Sequence, residues 1–149
     1  MKRLLLISMG ALFSATALAA EVDYRNDIRP LWQAKCSTCH GATAPYVGDF
    51  KADKDKFVAA MKGPRMDTYA ELLSFVAWPD TGALMRRLDN GKNSPDGKAG
   101  NMYAQLGAND AEREKNLAVF KAWVGEDAWT LKRRDAISKD ELMKIKAKY

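Results

Sequence analysis

The sequence predicts an all-α fold, and three observations carry that reading. Apolar residues recur at three- and four-residue intervals in several separate stretches, the spacing of one helix face. Asn109 with Glu112, and Ser138 with Glu141, have the capping-box spacing that opens a helix. No stretch shows the sustained apolar–polar alternation of a half-buried strand.

The first twenty residues stand apart. Lys2 and Arg3 precede an apolar run from about Leu4 to Leu12, and Ala17-Leu18-Ala19 supplies a small-residue cleavage site. This is the pattern of a secretory signal peptide over 1–20, with an apolar run too short to span a bilayer. No lipid-anchor cysteine follows it. The remainder, 21–149, suits one domain with a modest core. The full chain carries a formal charge of +5, and loss of Lys2 and Arg3 leaves +3. That mild balance, an exported chain and the lack of any binding motif exclude nucleic acid as partner.

Along the mature chain, Asn26 or Asp27 is the expected cap of a first helix, with Ile28, Leu31 and Trp32 inward and Pro30 tolerated in its first turn. Residues 41–48 read as loop. A helix is expected over 51–63, grouping Phe57, Val58 and Met61, and another over 67–78, capped by Asp67 with Tyr69, Leu72, Leu73 and Val76 at helical spacing. Pro79 ends it. A shorter helix over 80–89 turns Leu84, Met85 and Leu88 inward. Residues 90–101 hold Gly91, Gly97, Gly100 and Pro95 and no apolar side chain larger than alanine, so they form a loop. It runs directly into Met102 and Tyr103. The helix that follows, with Leu117, Phe120 and Val124 on one face, stops at Gly125. A last short helix carries Leu142 and Ile145.

Both cysteines and the single histidine fall in AKCSTCHG, as Cys36, Cys39 and His40. Cys-x-x-Cys-His is the attachment sequence of a c-type haem. Two thiols held one helical turn apart meet the two vinyl groups, and the adjacent imidazole reaches the iron as proximal ligand. A thioredoxin-like dithiol would follow a strand, whereas the preceding NDIRPLWQAK reads as helix. Structural zinc wants four protein ligands, and no further Cys or His exists. The motif therefore predicts one covalent haem c on Cys36 and Cys39, a macrocycle whose apolar surface the helices pack around.

With His40 used, a second histidine ligand from the same chain is excluded. The sixth ligand is then a methionine, a lysine, the mature N-terminus or water. Of Met61, Met66, Met85, Met102 and Met143, most serve as core or surface residues. Met102 stands out because it ends the Gly-rich loop, where a sulfur reaches iron without distorting a helix; Met66 is the next candidate. Pro45 is a candidate to pack near His40 or to accept its ring proton through the carbonyl.

NDIRPLWQAKCSTCHG at one end, and NMYAQLG followed by REKNLAVFKAWV at the other, resemble class I c-type cytochromes, and more closely the small periplasmic monohaem cytochromes of metal-reducing bacteria. The resemblance implies that Cys36 and Cys39 attach haem, that His40 is proximal and Met102 distal, and that the helix holding Trp123 crosses the N-terminal one. Two features depart from it: a 62-residue interval from His40 to Met102, and a C-terminal extension over 131–149. From Lys132 onward that extension has seven basic residues against three acidic, fit to dock on an acidic partner, to pack over the haem domain or simply to be solvated.

The function expected is electron transfer in the periplasm rather than catalysis. The protein would be a monomer without stable membrane insertion, exchanging electrons with other cytochromes or a membrane-associated reductase, and the resemblance implies an anaerobic respiratory setting. The alternative is a haem enzyme or small-ligand sensor with an open or displaceable sixth site. A haem-free dithiol protein is the third class.

Overall fold

Asp23 starts the fold. In the computed structural model, which describes residues 21–149, its carboxylate accepts a hydrogen bond from the Asn26 amide at 2.8 Å. It caps a π-helical turn, Tyr24–Ile28, that runs straight into α1, Arg29–Lys35. The cap lies upstream of Asn26 and Asp27 because Asp27 turns its own carboxylate back onto the Asp23 amide, at 2.9 Å. The two acids thus satisfy each other's end of the turn. The leader expected over 1–20 lies outside the described residues.

The backbone kinks at Cys36 (φ −122°) and resumes as α2, Ser37–His40. The helix expected over 51–63 is two short ones, α3 (Val47–Ala52) and α4 (Lys54–Ala59), broken at Asp53. Neither buries a residue, and Val58 and Met61 face solvent at 54% and 78% exposure. Phe57 is half-buried and stacks on Phe50 of α3 at 6.3 Å, so of the three grouped residues it is the one that finds a neighbouring ring. α5 (Tyr69–Ser74) is capped by Thr68 in a full capping box with Glu71. Asp67, the expected cap, instead pairs with Arg65 at 2.6 Å. α6 (Ala83–Leu88) buries Leu84, Met85 and Leu88, as its spacing predicts. The loop over 90–101 follows, then a 3₁₀ turn, Tyr103–Leu106.

α7 (Asp110–Val124) is the longest element and starts at Asn109, whose side chain accepts from the Glu112 amide at 2.9 Å. It buries Leu117, Phe120, Trp123 and Val124. Lys35 at the end of α1 pairs with Glu112 in the first turn of α7 at 2.5 Å, and Tyr24 before α1 lies 6.4 Å from the Trp123 ring near the other end. The two segments therefore run past each other in opposite directions. Ile28 and Trp32 complete one core with Leu72, Val76, Met85, Leu88 and Leu106. Burial of each such side chain contributes about 1.5–3 kcal/mol. No strand occurs among the described residues, and no helix among them is long and apolar enough to cross a membrane.

Beyond a 3₁₀ turn, Glu126–Ala128, the C-terminal extension folds back on this core through α8, Lys139–Leu142, which has the expected Ser138–Glu141 capping box. Its last residues are held by main-chain and side-chain bonds. Tyr69 donates to the Ala147 carbonyl at 2.8 Å, Trp123 Nε1 to that of Lys148 at 2.8 Å, and the Tyr24 amide to the same carbonyl at 2.9 Å. Tyr149 completes an aromatic cluster, 4.9 Å from Tyr69 and 5.8 Å from Tyr24. Upstream, Arg86 Nη1 donates to the carbonyls of Leu131 and Lys132. Of the three roles open to the extension in sequence, packing over the domain is the one these contacts support.

Candidate haem site

A helix end leaves its last carbonyls without partners, and α2 ends at His40. The segment 62–66 supplies those partners one after another. Lys62 Nζ donates to the Thr38 carbonyl at 3.0 Å, the Gly63 amide to Cys39 at 2.9 Å, and the Met66 amide to His40 at 3.0 Å. Between them, the Pro64 carbonyl lies 2.8 Å from His40 Nδ1. A carbonyl only accepts, so Nδ1 carries the ring proton and Nε2 keeps its lone pair free. Burial lowers the imidazole pKa, partly opposed by the bond to Pro64. The ring is thereby held neutral and fixed in orientation, the state in which it ligates a metal.

Pro45 does not accept the His40 proton; its carbonyl takes the Arg65 amide at 2.7 Å. The two prolines are both loop residues near the motif. Only closure of the 41–62 excursion, with α3 and α4 inside it, decides which carbonyl meets the ring. Gly63 also makes that closure feasible: a Cβ there would sit 2.1 Å from His40 Cε1. The local signal for this segment is the Gly63-Pro64 turn dipeptide, which marks a turn but not what the turn touches.

Cys36 and Cys39 are half-buried, unpaired thiols on this one turn. The amides of Cys39 and His40 both bond the Cys36 carbonyl, at 3.2 and 3.0 Å. Burial, with a smaller contribution from Cys39, pushes the Cys36 thiol up to about 12. A redox dithiol needs the opposite, a thiolate stabilised near neutral pH. Among the described residues no three or more His, Cys, Asp or Glu side chains gather as a metal cluster, so the zinc alternative finds no further ligands there. Trp32, one helical turn before Cys36, has a buried Nε1 without a hydrogen-bond partner. An unpaired buried donor is costly unless something outside the chain accepts from it. Two thiols, a neutral imidazole with Nε2 free and an orphaned buried donor one helical turn upstream fit a covalent haem.

The five mature methionines separate by place. Met61 and Met143 are exposed, and Met85 is wholly buried on the inner face of α6. Met66 belongs to the segment that wraps the motif from the His40 side. Met102, half-buried against the core, ends the loop over 90–101, its amide bonded to the Arg87 carbonyl at 2.9 Å.

A family model described as PccH cytochrome c matches residues 23–149. The fold is similar to a solved structure, the monohaem cytochrome PccH from Geobacter sulfurreducens. The TM-score is 0.81 at 54% sequence identity, over 87% of this chain and 100% of that one. No curated relative matches the chain.

Proposed function

Because the chain belongs to the PccH cytochrome c family, with one covalently attached haem c and a haem-based role in electron transfer, we propose that it is a periplasmic single-electron carrier with His40 and Met102 as axial ligands, working in anaerobic respiration. The observation that supports His40 as a ligand is the 2.8 Å contact of its Nδ1 with the Pro64 carbonyl, which leaves Nε2 unprotonated and free to bind a metal; Met102 is proposed for its place at the end of the 90–101 loop. Cys36 and Cys39 form the thioether bonds. Bound haem supplies one-electron iron chemistry, its potential set by ligand identity, burial and hydrogen bonding.

The residues around it keep geometry constant between oxidation states. The bonds from 62–66 lock the proximal turn, and the helix that leads into the motif is tied to α7 by the Tyr24–Ile28 turn at one end and the Lys35–Glu112 ion pair at the other. Small rearrangement is what a carrier needs and what a ligand-exchanging enzyme does without. Met66 is disfavoured as sixth ligand because its backbone is committed to the same turn as the proximal residue, its amide bonded to the His40 carbonyl at 3.0 Å. The leader pattern over 1–20 supports export, where covalent haem attachment takes place. Redox partners are other cytochromes or a membrane-associated reductase, and the chain acts as a monomer without membrane insertion.

The test is the visible spectrum of haem-loaded protein, oxidised and reduced, beside Met102→Ala. A weak far-red charge-transfer band in the ferric protein that the substitution abolishes is the expected result. A high-spin ferric wild type that binds carbon monoxide rapidly when reduced would replace this reading with the open-site enzyme or sensor. A band surviving in Met102→Ala would move the ligand to Met66.

A further inference from the structure

Asp89 is a carboxylate at 1% exposure that pairs with no cation among the described residues. Four N–H groups hold it instead. Three come from the loop that leads to Met102: the Gly91 amide at 2.8 Å, the Asn93 amide at 3.2 Å and Asn93 Nδ2 at 2.7 Å. The fourth comes from elsewhere in the chain, Trp129 Nε1 at 3.1 Å. The far end of the loop returns to the same place, with the Gly100 amide on the Asp89 carbonyl at 2.8 Å and the Met102 amide on that of Arg87 at 2.9 Å. The end of α6 is thus the plate on which both ends of the loop are pinned.

Trp129 stands at the entry to the C-terminal extension. Its ring is covered by the Lys121 ammonium at 5.6 Å, and the next residues are clamped to α6 by Arg86, which donates to Thr81, Leu131 and Lys132 carbonyls at 3.0, 3.2 and 3.0 Å. The segment that leads into the extension therefore reaches the loop through a polar contact to a buried anion. Hydrogen bonds to a desolvated charge are the strong ones, and an anion that loses one of its donors recovers it only by letting water in. Three of the four donors belong to the loop, so water that binds the carboxylate competes with the loop's own bonds.

We propose that Trp129 is a positioning residue for the sixth ligand: acting through Asp89, it holds the 89–101 loop closed and so keeps the Met102 sulfur on its place. The inference rests on the Met102 assignment above. It gives the extension a role at the haem rather than at a partner's surface. A loosened loop exchanges its methionine for an external ligand more readily, because the closed, ligated state competes less well with the open one.

The experiment is an imidazole titration of the ferric haem-loaded protein, followed by loss of the far-red band, with amide exchange at Gly91 and Asn93 recorded in parallel. Wild type, Trp129→Phe, Asn93→Ala and Tyr69→Phe are compared. Trp129→Phe keeps the ring and removes the donor. Asn93→Ala weakens the same carboxylate cage from inside the loop and serves if Trp129→Phe does not mature. Tyr69→Phe cuts the extension's bond at Ala147, remote in sequence from the loop, and controls for general loosening. The expected result is about tenfold tighter imidazole binding in Trp129→Phe and Asn93→Ala, the size of one charge-assisted hydrogen bond, with faster exchange at both amides and Tyr69→Phe unchanged. Imidazole affinity equal to wild type in Trp129→Phe or, failing that variant, in Asn93→Ala overturns the proposal, as does an equal rise in Tyr69→Phe. A wild type with no far-red band overturns the Met102 assignment itself, a result distinguishable at the start of the titration.

Discussion

Gly63→Ala tests the proximal side most directly. The added Cβ would lie 2.1 Å from Cε1 of His40, 2.6 Å from Nδ1 and 2.8 Å from Nε2. A carbon–carbon contact is comfortable at about 3.5–4.0 Å, so the ring or the backbone must move by more than about 1 Å. The backbone is poorly placed to yield, because the Gly63 amide is bonded to Cys39 at 2.9 Å and the following carbonyl to the ring at 2.8 Å. The ring moves instead and gives up the Pro64 bond. Overpacking costs about 1–3 kcal/mol, and the lost hydrogen bond adds about 1 kcal/mol, so the expected destabilisation is roughly 2–4 kcal/mol. An imidazole released from its carbonyl is also a weaker donor to iron, and loss of such an outer contact weakens metal binding about 10–100-fold. The assay is urea denaturation together with a redox titration and cyanide binding on the haem-loaded protein. Lower stability, a raised potential and faster cyanide binding are expected. A variant identical to wild type in all three would refute the argument that Gly63 is required by the ring rather than by the turn.

Two other perturbations bear on the distal side and the extension. Burial alone would raise the Asp89 pKa, but the side chains of Asn93 and Trp129 and the Asn93 and Gly91 amides outweigh it and hold the carboxyl below its usual range. A folded-state pKa below the unfolded one means stability that is present above the unfolded value, near about 3.9, and lost as pH falls through the folded value. Asp89→Asn should therefore cost about 2–3 kcal/mol at neutral pH, with the gap to wild type closing in acid; urea curves from neutral to strongly acidic pH check it, and a constant gap counts against the buried anion. Gly82→Ala puts a side chain at φ +69° and a Cβ 2.4 Å from the Lys132 carbonyl. Left-handed backbone and the displaced carbonyl together predict about 2–3 kcal/mol and a melting temperature lower by roughly 10 °C. An unchanged melting curve would mean that the extension is not clamped at α6.

Short-range chemistry was legible in the order of the residues. Cys36, Cys39 and His40 lie within one turn, and no fold can separate them, so the motif pointed to haem before any tertiary structure was known. The same holds for Asn109 and Ser138, whose caps reach only three residues ahead, and for Leu117, Phe120 and Val124, which one helix places on one face. The single helix expected over 51–63 is instead broken at Asp53, and of its apolar residues Phe57 finds a ring to stack on, Phe50 at 6.3 Å. Phe57, Val58 and Met61 have the spacing of a core face, but α4 buries none of its residues and Met61 projects into solvent.

Contacts closed over long stretches of chain were decided only by the tertiary structure. The carbonyl that orients His40 belongs to Pro64, 24 residues on, and not to the nearer Pro45. The cap of α5 went to Thr68 because Arg65 had claimed Asp67. Asp89 and Trp129 are 40 residues apart with no common motif, and each alone reads as a surface acid and a stray aromatic. A motif is visible in sequence when its members are held by the same few backbone bonds. A carbonyl facing a ring, or an indole facing a carboxylate, is fixed by how the intervening loops pack, and that depends on the whole core at once.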